Sequence, residues 1–337
     1  MHIPNAVLDP RVALATGVLG FAGLAYGLRA VESRLGERTT VLMGTMAAFV
    51  FAAQMVNFPL GPLAVSGHLL GGVLAAVMLG PWAGAVVIAA VLIVQCLLFG
   101  DGGLTALGAN FVNMGLVGAV GGYVIYAPIR RAIGGRGGVL FGAMIAAWFT
   151  VLLAAGAFSV ELAVFGRRAD FVRVLSWMTL VHAGIGLGEA IITGLVLRFI
   201  LSTRPDLIYE PEPAPQTNPR ALTGWLQVAL AGMGVALAVA MFLAPFASPH
   251  PDGLEYVVGE KLGLLPVESA ATLPVPIPDY ELKIFGPHAL GAATAAAGVI
   301  GTVVVFAVAA LLALAVTRVG VKATAPPPLG GVPADVA

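Results

Sequence analysis

Long apolar runs restrict this chain more than any other feature of its sequence. Hydrophobic residues make up 59% of the 337 positions, and charged residues only 10%. The apolar residues lie in runs of about twenty, the length of one helical crossing of a bilayer, rather than at the spacing of an amphipathic helix. Such runs form helices in lipid because a helix satisfies its backbone hydrogen bonds within one segment. The sequence therefore predicts an all-α polytopic membrane protein.

Nine apolar segments are candidate spans, seven before residue 202 and two after it. They cover residues 10–30, 40–58, 63–79, 82–99, 104–127, 138–164, 177–201, 222–246 and 288–317. The third is at the short limit for a bilayer and holds Gly67, His68, Gly71 and Gly72. A re-entrant or cavity-lining segment is therefore an alternative to a full span there.

A polar stretch separates the two groups of spans. Residues 202–220 contain five prolines, which is typical of a semi-extended linker. Two spans follow it, and they flank a proline-rich loop at residues 247–287. The predicted domains are residues 1–201, a linker at 202–221, a two-span domain at 222–320 and a disordered tail at 321–337.

The distribution of positive charge predicts the orientation in the membrane. Cytoplasmic connections carry an excess of lysine and arginine. With nine spans and an external N-terminus, eleven of the 17 basic residues fall inside and six fall outside. We therefore expect the N-terminus outside and the C-terminus inside, with the linker inside and the 247–287 loop outside. The net charge is zero, so a nucleic-acid partner has no electrostatic support.

The first four residues, Met1-His2-Ile3-Pro4, form a candidate metal chelate. The α-amine of Met1, the peptide nitrogen of His2 and the His2 ring can close two small chelate rings around one metal ion. Three nitrogens in a plane suit Ni(II) or Cu(II), with Co(II) a softer possibility. The chelate requires an intact terminus, and we expect Met1 to be retained because the initiator methionine is usually removed only before a small residue.

The fourth nitrogen is predicted to come from His68. A lone histidine beside glycine in a span is more often satisfied within the helix bundle. Here the apolar context and the three-nitrogen partner favour a ligand instead. Ligation needs neutral imidazoles and a deprotonated amine, so we expect metal affinity to fall as the pH drops.

Several further polar residues lie in or beside the apolar spans. His182 and Glu189 are seven residues apart on one face of the seventh span, and they form either a relay or release site or a structural pair across the bundle. Further polar residues are candidates for orienting the ligands by hydrogen bonds, although structural hydrogen bonding is the more common role for any one of them: Asn110, Ser66, Asn113, Gln95 and Asn57. Asp101, between glycines, is interpreted as a turn residue.

Some functional classes lack their sequence signals. There is no G-x-x-x-x-G-K-[ST] phosphate loop, so we expect that this chain binds no ATP through that motif. There is also no H-E-x-x-H, which weakens a metalloprotease interpretation. The single cysteine, Cys96, lies in an apolar run and is interpreted as a buried hydrophobic residue. We expect that the chain is not an enzyme.

Five stretches together resemble a known family. Met1–Pro4, the region of His68, Gly102–Asn110 and Gly184–Glu189 resemble the CbiM/NikM permeases. These permeases are the substrate-binding S components of energy-coupling factor importers for cobalt and nickel. Pro251–Glu255 resembles the PDGLE signature of the NikN-like domain that is fused to some of them.

The resemblance implies both a fold and a site. It implies a seven-helix S-component bundle, a two-helix C-terminal membrane domain with an external loop, and an N-terminus that folds back into the bundle. It also implies that the amine of Met1, the amide and ring of His2, and His68 hold the metal. The implied partners are a transmembrane coupling (T) subunit and cytoplasmic ATPases in a bacterial or archaeal cytoplasmic membrane.

The sequence favours high-affinity capture and import of Ni(II), preferred over Co(II), with ATP hydrolysed by partner subunits. One alternative is a partner-independent secondary carrier in which His182 and Glu189 handle protons. Another is a membrane enzyme or metal sensor that uses the same site without transport. The role of the 247–287 loop stays open between gating metal entry and docking on the first domain to assist loading.

Overall fold

Helices dominate the computed structural model, which describes residues 1–32, 37–61, 64–164, 170–210, 221–264, 274–282, 284, 286 and 289–323. Among these residues, seven helical segments are long and apolar enough to cross a membrane. The described part contains two short strands, β1 (Phe58–Pro59) and β2 (Ser66–Gly67), which pair antiparallel. The all-α polytopic membrane fold is therefore confirmed.

The helices of the first part of the chain run from residue 10 to residue 203. They are α1 (Pro10–Glu32), α2 (Glu37–Gln54), α3 (Gly72–Leu79), α4 (Pro81–Val94), α5 (Leu107–Asn110), α6 (Gly122–Ile133), α7 (Gly135–Ala163) and α8 (Phe171–Thr203). After the linker, the chain forms α9 (Ala221–Ala238), α10 (Gly253–Glu255) and α11 (Leu290–Ala323).

Within the described residues of the first domain, two spans contain π-helical segments, in which one turn is wider than in an α-helix. The first continues α4 over Gln95–Phe99. The second, Phe111–Gly121, joins α5 to α6, so that Leu104–Ile133 is one helical span. π-helical turns are frequent at functional sites, and both segments begin at or directly after a polar residue, Gln95 and Asn110.

The second and third predicted spans differ from the other seven. α2 contains a shorter apolar stretch, Thr39–Gln54. In place of a third span, the chain forms β2, a short extended connection and then α3, which has eight residues. Eight residues extend only about 12 Å as a helix. Gly71, in a left-handed conformation with φ of 77°, lies directly before α3, and the segment is therefore of the cavity-lining kind.

The core lies around α3 and α4. All eight residues of α3 are buried, and α4 is the most deeply buried of the long apolar helices, whereas α1 lies at the periphery. The C-terminal helices α9 and α11 pack against α2. A Cβ atom on Gly301 of α11 would lie 2.1 Å from Phe51 Cζ of α2, so these helices approach closely because glycine stands there.

Four segments meet at one end of the helix bundle. These are the N-terminus, the β1–β2 hairpin, the connection between α4 and α5, and the loop before α11. The backbone amide of Ser248 donates to Asn57 O at 2.8 Å, and that of Ile277 donates to Leu98 O at 2.9 Å. These bonds dock the loop between α9 and α11 on the first domain. At the opposite end of the bundle, Arg130 pairs with Glu210.

Candidate metal centre

The first three residues are buried in the bundle. Met1 is 5% exposed, His2 6% and Ile3 1%. The amide of Ile3 donates to Asn110 Oδ1 at 2.8 Å, and Asn110 Nδ2 donates to Ile3 O at 3.3 Å. Ile3 O also accepts from the amide of Gly103 at 2.8 Å. Hydrogen bonds from Asn110 and Gly103 to the backbone of Ile3 therefore hold the terminus in the bundle.

The Gly102–Asn110 run makes room for the terminus. Gly102 has a φ of 82°, a conformation that side chains disfavour. A Cβ on Gly103 would lie 2.3 Å from Asn5 N and 2.7 Å from Asn5 Cα. Asn5 Oδ1 accepts from the amide of Thr105 at 3.1 Å and from its hydroxyl at 3.0 Å. Four residues of this run thus contact residues 1–5 or permit their close approach: Gly102, Gly103, Thr105 and Asn110.

The amine of Met1 lies beside the His68 ring. Its nitrogen is 2.5 Å from His68 Nε2. His68 Nδ1 lies 3.0 Å from Leu69 O, and a proton donated there leaves the lone pair of Nε2 facing the amine. Neighbouring nitrogens of a planar metal site lie about 2.8 Å apart when each bond is about 2.0 Å. The two nitrogens are therefore spaced like neighbouring ligands of one metal ion.

The His2 ring lies next to that of His68, with ring centroids 5.1 Å apart and planes 20° apart. His2 Nε2 is 3.1 Å from Gln95 Oε1, and His2 Nδ1 is 3.2 Å from Asp101 Oδ1. Burial lowers the pKa of His2 to about 4, although Asp101 opposes the shift. The ring is therefore neutral at neutral pH, as metal binding requires.

A chain of side-chain amides orients the His2 ring. Gln54 Nε2 donates to Leu70 O at 2.9 Å, and Gln95 Nε2 donates to Gln54 Oε1 at 2.8 Å. Gln95 therefore presents its oxygen to His2 Nε2, and Asp101 presents its carboxylate to Nδ1, so each acceptor favours a proton on the ring nitrogen that it faces. In the tautomer with the proton on Nε2, Nδ1 is free for a metal, and it is the ring nitrogen that closes a small chelate ring with the peptide nitrogen of His2. Chelation would exchange the Asp101 contact of Nδ1 for the metal.

The PDGLE-like segment, Pro251–Glu255, also contacts the terminal amine and His68. The carboxylate of Asp252 pairs with the amine of Met1, and its Oδ2 lies 3.7 Å from His68 Nε2. Burial alone would raise the pKa of Asp252, but the terminal ammonium and His68 hold it well below its usual range. An ionised carboxylate from the second domain therefore faces the terminal amine.

Backbone pairing fixes this segment against the first domain. The amide of Ser66 donates to Pro251 O at 2.8 Å, and its hydroxyl donates to His250 O at 2.8 Å. The hydrogen bonds of Ser66 thus hold the segment that carries Asp252, and they do not orient the His68 ring.

The loop before α11 covers another side of the site. Tyr280 donates its hydroxyl proton to Asp101 Oδ2 at 2.5 Å, and its ring stacks on Phe99 with centroids 4.6 Å apart. Asp101 is therefore more than a turn residue, since it links the His2 ring to this loop.

His182 and Glu189 make separate contacts. Glu189 accepts from the amides of Leu70 at 2.6 Å and Gly71 at 2.9 Å, and so fixes the turn after His68. His182 is fully buried, with Nδ1 2.8 Å from Met178 O, and its Nε2 has no hydrogen-bond partner. His182 also lines a small cavity with Met1, His68 and Asp252. The structure therefore does not join His182 to Glu189 as a hydrogen-bonded relay.

Side chains alone do not build a metal site in the part of the chain that the structure describes. No three His, Cys, Asp or Glu side chains converge there as metal ligands. The predicted ligand set has only two side-chain donors, His2 and His68, and takes its other two nitrogens from the main chain at residues 1 and 2. A site at this place therefore depends on the docked terminus.

Comparison with known proteins decides the family. The model of the cobalt uptake substrate-specific transmembrane region, CbiM, matches residues 2–207. The chain belongs to the CbiM family. The PDGLE domain model matches residues 226–318, so a CbiM region is followed by a PDGLE domain, as the sequence motifs had indicated.

Relatives of this chain are named as transport proteins, which confirms the expectation that it is not an enzyme. A putative fused nickel transport protein NikMN of Archaeoglobus fulgidus is 36% identical over 94% of this chain and 98% of its own length. A fused nickel transport protein NikMN of Rhodobacter capsulatus is 32% identical over 71% of each chain. A putative cobalt transport protein CbiM of Methanocaldococcus jannaschii is 28% identical over 64% of this chain and 94% of its own.

Solved structures match a large part of the chain. The crystal structure of a truncated transition metal transporter is 29% identical and covers 60% of this chain and 99% of its own, with a TM-score of 0.55. The CbiM chain is therefore a multi-pass membrane protein related to nickel and cobalt transport proteins.

Sequence reasoning missed two contacts of this site. Gln54 supports Gln95, one of the predicted orienting residues, behind His2, and its place in an apolar span was the available signal. Asp252 was noted only as part of the PDGLE-like motif, and nothing in the sequence indicated its contact with Met1, which is 251 residues away.

Proposed function

We propose that this chain captures Ni(II) or Co(II) with high affinity and imports it, as the substrate-binding S component of an energy-coupling factor transporter. The docked amine of Met1, 2.5 Å from His68 Nε2 and beside the His2 ring, carries this proposal. The nickel and cobalt transport functions named for its relatives support it. The metal is the transported substrate.

Nickel is the preferred metal in this proposal. Four nitrogens in a plane favour Ni(II) over Co(II) because planar nitrogen ligation is typical of Ni(II) and Cu(II). Cu(II) would bind at least as tightly by affinity order, so selection in the cell also depends on which metal is available. Two fused relatives are named as nickel transport proteins, which supports the same preference.

The proposal also includes the source of energy for transport and the orientation of the chain in the membrane. The sequence has no phosphate-loop motif, so ATP hydrolysis is assigned to cytoplasmic ATPase subunits, which act through a transmembrane coupling subunit. The excess of basic residues on the other side supports a metal centre at the external face of a bacterial or archaeal cytoplasmic membrane. Metal then enters from outside, and the C-terminus lies inside.

Blocking the amine without touching any side chain tests the site. A variant with a few residues added before Met1 keeps the His2 ring and the peptide nitrogen but removes the free amine. Nickel and cobalt binding to the purified full-length protein is measured by calorimetry, beside His68→Ala. We expect both changes to abolish tight binding, since each removes one of four ligands. Tight binding by the extended chain would contradict the terminal chelate.

Uptake measurements distinguish the modes of transport. Vesicles that contain the chain with and without the ATPase and coupling subunits are loaded with ATP, and metal accumulation is followed. We expect accumulation only with the partners present. Accumulation by the chain alone would favour the secondary carrier, and tight binding without flux in either sample would favour a sensor.

A further inference from the structure

The metal centre is built from both domains. We propose that Asp252 of the PDGLE domain is a positioning residue of this centre, and that its carboxylate holds the terminal amine of Met1 beside His68 Nε2. This inference rests on the proposed function, because it assigns a role to a residue outside the four proposed ligands. It makes the PDGLE domain a structural part of the metal centre.

Direct contact supports the role. The Asp252 carboxylate pairs with the Met1 amine, and both groups are buried, with side-chain exposures of 11% and 3%. A buried ammonium is costly unless it is paired and hydrogen-bonded. Among the ion pairs of the described residues, the Met1 amine has Asp252 as its carboxylate partner. Without that carboxylate, water competes with the site for the terminus.

The carboxylate is held rigidly, as a positioning group must be. Asp252 Oδ1 accepts from the amide of Glu255 at 2.8 Å, and Glu255 Oε2 accepts from the amide of Asp252 at 3.2 Å, which forms a capping box at α10. The other carboxylate oxygen, Oδ2, is therefore left for the amine. One side chain both begins the short helix and holds the terminus.

Close packing fixes the position of the PDGLE-like segment relative to the metal centre. A Cβ on Gly253 would lie 2.5 Å from Ile185 Cδ1 and 3.0 Å from His182 Cε1. The glycine therefore lets the segment rest directly on α8. Together with the backbone pairing to Ser66, this contact leaves Asp252 little freedom to move away from Met1.

The same contact is compatible with a bound metal. A metal ion replaces one proton of the terminal ammonium, and the coordinated amine keeps two N–H groups. The Asp252 carboxylate can accept a hydrogen bond from one of them while His68 Nε2 binds the metal. The carboxylate therefore orients the amine before and after loading.

Asp252→Asn separates positioning from capping. Asparagine caps helices as well as aspartate does, so the capping bond to Glu255 is kept while the charge that faces Met1 is lost. The matched control is Glu260→Gln, which removes one negative charge from an exposed position eight residues further along the same segment. Thermal unfolding of the metal-free proteins reports whether either change disturbs the fold.

Two readouts test the inference on the purified full-length chain. The first is the rate at which an acylating reagent modifies the Met1 amine in metal-free protein, read by mass spectrometry. The second is Ni(II) affinity by calorimetry. We expect Asp252→Asn to speed acylation and to weaken nickel binding, each by about tenfold because a charge-assisted hydrogen bond is lost, while the protein keeps a cooperative unfolding transition. Glu260→Gln should match the wild type in both.

The outcomes separate this inference from the proposed function. An unchanged acylation rate in Asp252→Asn would overturn the positioning role, whatever the metal affinity. Nickel binding as tight as in the wild type would overturn it as well. A wild-type chain that binds no nickel or cobalt would instead refute the proposed function, and the acylation rates would still decide whether Asp252 holds the terminus.

Discussion

Asn110 provides the sharpest test of how the terminus is docked. Its side chain is 2% exposed, accepts from the amide of Ile3 at 2.8 Å and donates to Ile3 O at 3.3 Å. Asn110→Ala removes both bonds. Ile3 O keeps the amide of Gly103 as a donor, so the change leaves one buried group without a partner, the amide of Ile3.

The expected magnitude follows from that single group. An unsatisfied buried donor costs about 1–3 kcal/mol, which shifts an equilibrium roughly 5- to 150-fold. The amide regains a partner, water, when the terminus leaves the bundle. Undocking of residues 1–3 should therefore become more frequent by that factor. Nickel affinity falls by no more than the same factor, because it follows the population of the docked form.

Acylation of the Met1 amine measures the docking equilibrium directly, since the buried amine reacts only after undocking. The matched control is Asn113→Ala on the same helical span. Asn113 is also 2% exposed, but its amide donates to Glu161 Oε2 at 3.0 Å and makes no contact with the terminus. We expect faster acylation in Asn110→Ala alone. Equal rates in the two variants would refute the reasoning that hydrogen bonds to Ile3 hold the terminus.

Three further substitutions probe the site and its support. Gly103→Ala places a Cβ 2.3 Å from Asn5 N and should abolish tight nickel binding in calorimetry, whereas Gly156→Ala, with nothing within 4 Å, should not weaken it. Glu189→Gln keeps one acceptor for two amides, so the unfolding free energy should fall by about 1–3 kcal/mol, and an unchanged thermal transition would contradict this. Gly301→Ala should loosen α11 from α2 at a cost of about 1–3 kcal/mol, seen as faster proteolysis of the PDGLE domain; unchanged proteolysis would argue against close packing there.

The fold was largely predictable because apolar length is a strong local signal. The long spans are present, with Pro81–Phe99 and Gly135–Ala163 close to the predicted ranges. The predicted third span was harder, since residues 65–79 are buried by protein rather than by lipid. Hydropathy cannot distinguish these two environments, and the local signs were the short length of the segment and its glycines.

The candidate site was predictable in part, for a different reason. Chelate chemistry at Met1 and His2 is local and can be derived from four residues. The proximity of His68 was inferred by seeking a fourth nitrogen, and the structure places it 2.5 Å from the Met1 amine, while metal binding itself stays a prediction. Asp252 reaches the amine only through the docking of a second domain, and no spacing in the sequence encodes that contact.

The π-helical segment Phe111–Gly121 gives the number of residues in this span a meaning of its own. A π-helical turn holds one residue more than an α-helical turn, so the wide turns set the register between the two ends of this span. Deleting one residue here would turn Asn110 by roughly 100° and move it about 1.5 Å relative to α6, away from Ile3. The wide turns let one helix face the terminus at its start and α7 further along. The number of residues inside this span therefore matters for the hydrogen bonds between Asn110 and Ile3 as much as the identity of Asn110 does.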